Sequence, residues 1–63
     1  MLTYLQKYLK DNEIIDLFLL FEKRKFEAAG VFKDTLRIFY KIDLPLLKCH
    51  EILTLAYEEF NTK

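Results

Sequence analysis

The chain has 63 residues, of which 52% are apolar and 16% aromatic, and its ten basic and ten acidic side chains cancel to zero net charge. A chain this short holds at most one domain, so we predict a single helical domain over residues 1–63. Zero net charge excludes a strong overall field that would draw the chain to nucleic acid or to an acidic membrane. The longest apolar run, Leu17 to Phe21, is far shorter than the roughly 20 residues of a membrane-spanning helix.

Cysteine and histidine occur once each, as Cys49 and His50. One cysteine cannot form an internal disulfide, and the two residues together cannot complete a structural zinc site. The N-terminal residues also lack the basic region and the long apolar core of a signal peptide. We therefore predict a cytoplasmic protein without a metal or another cofactor.

Helix start and stop signals divide the chain into a short first helix and three longer ones. Thr3 and a glutamine three positions later have the capping-box spacing, which predicts a first helix over residues 4–10. The polar side chains that follow can cap a second helix over residues 12–29. Gly30 is the only glycine, and it is predicted to end that helix in a left-handed conformation. A hairpin of the second and third helices and one kinked continuous helix both fit this pattern.

A third helix is predicted over residues 31–42. The apolar alternation from Leu36 to Leu44 also fits a strand, but a lone strand would have no partner in the chain, and the charged residues of the segment share one helical face. Pro45 is predicted to lie in the first turn of a fourth helix over residues 45–60, where its missing N–H costs no hydrogen bond. The predicted fold class is all-α, a small bundle of three main helices and a short N-terminal one.

The second and fourth predicted helices carry more apolar residues than one core-facing stripe requires. A folded chain of this size buries only about 60% of the surface that its unfolded form exposes, and excess apolar surface on a small unit indicates association. Two-fold pairing is the commonest way to cover such a surface, so the sequence predicts a homodimer or a complex with another protein. Four leucines are the candidate interface residues: Leu19, Leu20, Leu47 and Leu55.

Three basic side chains recur every fourth residue along the predicted third helix and form a basic ridge: Lys33, Arg37 and Lys41. A solvated helix face explains such a pattern, and so does a surface that binds anions, either acidic side chains or nucleic-acid phosphates. The segment also partly resembles a DNA-binding helix-turn-helix unit, with Gly30 as its turn glycine and residues 31–42 as its reading helix. Phe26 departs from that pattern, which places a small residue there. A DNA-binding transcriptional regulator is therefore the alternative function.

No pattern of catalytic residues accompanies these features. Cys49 and His50 are adjacent, so on a helix their side chains point about 100° apart and make a poor thiolate–imidazole pair. Cys49 also falls in the apolar stripe of the fourth helix, where it is predicted to be buried as a small hydrophobe. A single glycine excludes a glycine-rich phosphate loop. We predict that the chain is not an enzyme but a protein-interaction module, acting as an adaptor, a regulator or an inhibitor.

Overall fold

The computed structural model describes residues 1–62, which form four helices. These are α1 (Leu2–Gln6), α2 (Asp11–Lys23), α3 (Lys25–Tyr40) and α4 (Leu46–Asn61). The described residues contain no strand, so the predicted all-α fold class is confirmed. α3 packs extensively against both α2 and α4, while α1 packs mainly on α4. None of the helices in residues 1–62 has the length and apolar character needed to cross a membrane.

The break between α2 and α3 lies at Arg24, and the prediction of a break at Gly30 is wrong. Arg24 has an extended backbone, with φ −145° and ψ 90°, whereas Gly30 lies inside α3 without a positive φ. Because α3 begins before Ala28 and Ala29, both side chains lie in the bundle core. Burial of this helical face outweighs the roughly 1 kcal/mol by which glycine disfavours a helix interior. The second and third predicted helices are thus replaced by α2 and α3, which pack against each other as a hairpin.

Polar contacts set the remaining helix ends. The N-terminal ammonium group and the Leu2 N–H donate to Glu59 Oε2 of α4, at 2.7 and 3.3 Å. α1 therefore begins at Leu2, earlier than predicted, and it also ends earlier, at Gln6. At the end of α3, Lys41 takes the left-handed conformation that was predicted for the glycine, with φ 60°. Pro45 is the N-cap of α4, one position before the predicted first turn.

A single apolar cluster, to which all four helices contribute, forms the core. Phe32 of α3 is the largest of its fully buried side chains, and Phe18 and Phe21 of α2 contact Tyr57 of α4 with ring centroids 5.5 and 5.6 Å apart. Residues 1–62 contain no buried polar side chain. The buried residues are Leu5, Ile14, Leu17, Phe18, Phe21, Ala28, Ala29, Phe32, Leu36, Cys49, Ile52, Leu53 and Ala56. The predicted burial of Cys49 is therefore confirmed.

The bundle has an ordinary surface area, but large apolar side chains are exposed on it. Its accessible surface is 4391 Å², close to the roughly 4300 Å² that size scaling gives for a folded chain of this mass. Large apolar side chains nevertheless lie in solvent, and the most exposed are Phe39 at 74% and Leu47 at 72%. Apolar composition, rather than extra area, thus distinguishes this surface.

Candidate functional site

An open groove of about 740 Å³ runs between α2 and α3. Buried Leu17 and Phe32 form its floor, so the groove reaches the core of the bundle. Half-buried Leu20 and exposed Val31 and Phe39 form its apolar walls. The volume lies within the range of about 300–1,000 Å³ that is usual for ligand pockets in proteins. A second concavity, of about 360 Å³, lies among α1, α2 and α4.

Helical periodicity places the lining side chains on facing surfaces of the two helices. Positions 13, 16, 17 and 20 of α2 are three or four residues apart and share one face. Val31, Thr35 and Phe39 of α3 are spaced by four residues and share another. The Thr35 hydroxyl donates to the Val31 carbonyl oxygen at 2.9 Å. The hydroxyl of Thr35 therefore donates its proton within its own helix.

The outer edge of the α3 wall carries three apolar side chains and one threonine, which we call the α3 stripe: Val31, Thr35, Ile38 and Phe39. Ile38 lies seven residues after Val31 and so shares its side of the helix. Val31 is 46% exposed, Ile38 57% and Phe39 74%. Single surface hydrophobics are normal in soluble proteins, whereas these side chains lie in one row beside the groove.

Three tyrosines close the end of the groove at which α3 finishes. The Tyr8 ring meets Tyr4 and Tyr40 edge-on, with centroids 5.2 and 5.0 Å apart. The Tyr40 hydroxyl also donates to the Tyr8 carbonyl oxygen at 2.7 Å, and burial raises the pKa of Tyr4. These contacts hold the connection between α1 and α2 against α3. One end wall of the groove is therefore formed before any partner binds.

Charged residues line the α2 wall of the groove, at Lys10, Glu13 and Asp16, and others flank the α3 stripe. Glu13 Oε1 accepts the Lys10 N–H at 2.8 Å and so caps the first turn of α2. On α3, Glu27 lies four residues before the stripe begins at Val31, and Lys41 lies two residues after the stripe ends. Glu27 also meets Arg24 at 3.5 Å. The α3 stripe is thus flanked by an acidic residue at one end and by a basic residue at the other.

Of the four predicted interface residues, only Leu20 lines the groove. Leu19 lies on α2 outside it at 55% exposure. Leu47 and Leu55 are 72% and 42% exposed on α4, which does not border the groove. Sequence reasoning missed the α3 stripe because the predicted third helix is apolar around most of its circumference. The seven-residue spacing of Val31 and Ile38 is the signal that could have identified it.

The basic ridge is largely occupied by contacts within the chain. Lys33 Nζ donates to Asp43 Oδ1 at 3.1 Å and to the Leu44 carbonyl oxygen at 2.8 Å. Arg37 meets the Asp34 carboxylate at 3.5 Å. Residues 31–42 also do not form a separate reading helix, because α3 begins at Lys25. DNA binding stays a prediction that rests on the charge pattern.

Cys49 and His50 occupy core and boundary positions. Cys49 is fully buried, and burial raises the pKa of its thiol although Lys33 opposes the shift. The His50 ring stacks on Phe26 with centroids 4.6 Å apart and lies 5.8 Å from the Phe21 ring. Within residues 1–62, no group of three or more histidine, cysteine, aspartate or glutamate side chains is placed to hold a metal ion.

We expect the Cys49 thiol to react slowly with a disulfide reagent such as DTNB in the native protein. Burial keeps the reagent out, and the raised pKa keeps the thiolate scarce. Labelling must then await local or global opening of the bundle. The rate in urea should exceed the native rate by at least about a hundredfold, the ratio expected when opening costs about 3 kcal/mol. Equal rates would show that α4 leaves the thiol open to solvent.

The fold is a small all-α bundle with an open groove that is largely apolar between α2 and α3. Comparisons with protein-family models, curated proteins and solved structures find no match to this chain. Its function is therefore inferred from the geometry of the groove.

Proposed function

We propose that the chain is a non-enzymatic protein-interaction module, an adaptor, regulator or inhibitor, that binds a partner's helix in the groove between α2 and α3. The observation that carries this proposal is the juxtaposition of a groove floored by core residues with Phe39, which is 74% exposed. Burial of apolar surface contributes roughly 25 cal/mol per Å². A straight groove between two helices fits the apolar face of an amphipathic helix, which is a recurring mode of recognition.

Three of the polar side chains that line the groove are already paired within the chain, which favours an apolar partner surface over a polar substrate. Thr35, Glu13 and Tyr40 already make hydrogen bonds within the chain, to Val31, Lys10 and Tyr8. A partner that covers these groups need not supply new hydrogen bonds to them, because buried polar groups are costly only when they are left unpaired. The proposal includes a cytoplasmic location, which a single free thiol held in the core favours.

Affinity capture with three matched baits tests this function. Tagged wild type, Phe39→Lys and Leu47→Lys are incubated with lysate of the native host, and bound proteins are identified by mass spectrometry. Phe39 and Leu47 are almost equally exposed, at 74% and 72%, so both variants add a lysine at a solvated site and the fold is preserved in each. We expect a protein that is retained by the wild type and by Leu47→Lys and is lost from Phe39→Lys.

Two results would contradict the proposal. One is retention of the same proteins by all three baits, because binding would then not use the groove. The other is loss of the captured protein from Leu47→Lys but not from Phe39→Lys, which would place the interface on α4.

A further inference from the structure

We propose that the helix held in the groove is α3 of a second copy of this chain, packed antiparallel about a two-fold axis at Thr35. This inference rests on the proposed function and names its partner. The sequence predicts an interface made of four leucines. In this proposal the interface is instead the α3 stripe and the groove.

The face that contains the groove carries both a concave and a protruding element. The groove is the concavity, and Phe39 is the protruding side chain beside it. A two-fold interface uses the same patch on both subunits, so such a patch must be complementary to itself. Phe39 of each copy enters the groove of the other copy. The two-fold axis therefore makes the same contact twice.

The spacing of the α3 stripe fits this exchange. Val31 and Phe39 each lie four residues from Thr35, on opposite sides of it. Antiparallel packing about Thr35 therefore sets Phe39 of one copy opposite Val31 of the second copy. Val31 and Leu20 are both apolar lining residues of the groove, so Phe39 would pack against apolar walls. The small Thr35 side chain at the axis lets the two helices approach closely, since the distance between packed helices depends on the side chains at the contact.

The charges that flank the stripe are complementary in the antiparallel orientation. Glu27 lies eight residues before Thr35, and Lys41, the C-cap of α3, lies six residues after it, so the two charges mark opposite ends of the stripe. Antiparallel packing brings Glu27 of each copy towards Lys41 of the second copy at both ends of the contact. Asp34 lies close to the axis, where it would meet its own copy, but Arg37 compensates its charge at 3.5 Å. Parallel packing would instead set Glu27 against Glu27 and Lys41 against Lys41.

A stable dimer needs a contact broader than one edge of α3. A standard interface buries about 800 Å² on each partner, which is a little under a fifth of the 4391 Å² of this chain. One helix edge is narrower than that. Insertion of Phe39 between Val31 and Leu20 of the second copy adds the groove walls to the contact.

Cysteine cross-linking tests the position of the axis. Thr35→Cys is compared with Thr54→Cys, because both threonines are half-buried helical residues whose hydroxyls donate to the carbonyl oxygen four residues earlier. The native Cys49 is buried and does not compete. With diamide as oxidant, which takes up the two electrons and two protons of the paired thiols, we expect a disulfide-linked dimer from Thr35→Cys and monomer from Thr54→Cys. No cross-link at Thr35→Cys, or equal cross-linking of both variants, would overturn the proposal.

Sedimentation tests the surface. We expect wild type and Leu47→Lys to dimerise with dissociation constants within about twofold of each other, and Phe39→Lys to dimerise at least about a hundredfold more weakly, because two aromatic side chains are lost from each dimer. Circular dichroism confirms that each variant is folded. A dimer that survives Phe39→Lys and dissociates with Leu47→Lys would overturn the proposal in favour of the leucine surface on α4.

A charge exchange tests the orientation. At low salt, Glu27→Lys and Lys41→Glu should each weaken the homodimer by several-fold, because each sets like charges opposite each other at both ends. An equimolar mixture of the two variants should recover wild-type affinity, because both ends are then complementary. Unchanged affinity of both single variants would overturn the antiparallel arrangement. A wild type that stays monomeric at high micromolar concentration, while the capture experiment still loses a partner with Phe39→Lys, would overturn this inference and leave the proposed function intact.

Discussion

Phe32→Ala is expected to lower the free energy of unfolding by about 3–5 kcal/mol, the usual cost of removing a buried aromatic ring. Phe32 is the largest fully buried side chain of the bundle, and it lies on α3, which packs against both α2 and α4. A domain of this length has a total stability of roughly 3–9 kcal/mol. The variant should therefore be largely unfolded, or close to it, at room temperature.

Phe39→Ala is the matched control for this prediction. Phe39 lies on the same helix, seven residues away, but is 74% exposed. Its truncation should change the stability of the monomer by less than about 0.5 kcal/mol, as is usual for surface positions. Urea denaturation followed by circular dichroism at low micromolar protein, where dimerisation contributes little, measures both values. A loss of less than 1 kcal/mol for Phe32→Ala would contradict a core centred on α3.

The sequence predicted those features of the fold that depend on local residue patterns. Apolar periodicity in the fourth helix placed Cys49 in the core, and it is buried. Pro45 marked the start of the fourth helix to within one residue. These signals are local because they depend on the spacing of residues within one helix.

The break between α2 and α3 could not be predicted in this way. Arg24 carries no turn or capping preference that would mark it as a helix boundary, whereas Gly30 has the composition of a helix end. The choice between them is made by tertiary burial, since an α3 that runs unbroken through Gly30 buries Ala28, Ala29 and Phe32 together. Such tertiary contacts outweigh the helix propensity of single residues. They cannot be recognised from the local sequence pattern.

The candidate site was predicted in part, for the same reason. Leu20 was identified because α2 is apolar on more sides than one core requires, and it lines the groove. Phe39 was not identified, because its exposure depends on how α2 and the tyrosine cluster lie against α3. The basic ridge is also less free than its sequence suggests, because Lys33 binds Asp43 and the Leu44 carbonyl oxygen, which lie outside α3. Charge spacing along one helix does not reveal such partners.

Substitution of Gly30 should distinguish a helix break at Gly30 from one at Arg24. The two positions predict changes of opposite sign in the stability of Gly30→Ala. In the structure, Gly30 is the sixth residue of α3, its φ is not positive, and a Cβ atom placed there meets nothing within 4 Å. Gly30→Ala should therefore stabilise the protein by about 0.5–1 kcal/mol, because alanine gains helix propensity without strain or overlap. This corresponds to a rise of roughly 2–8 °C in the midpoint of thermal unfolding for a domain of this size.

Gly30→Pro should have the opposite and larger effect, a loss of about 3 kcal/mol or more. Proline inside a helix removes one backbone hydrogen bond, and its ring collides with the carbonyl group four residues earlier. The sixth residue of α3 lies beyond the first turn, where proline would be tolerated. If Gly30 instead ended a helix in the left-handed conformation, alanine would be the harmful substitution, because a Cβ atom there is strained. A lower unfolding midpoint for Gly30→Ala than for the wild type would thus contradict the continuous α3 and, with it, the alignment of the α3 stripe along the groove.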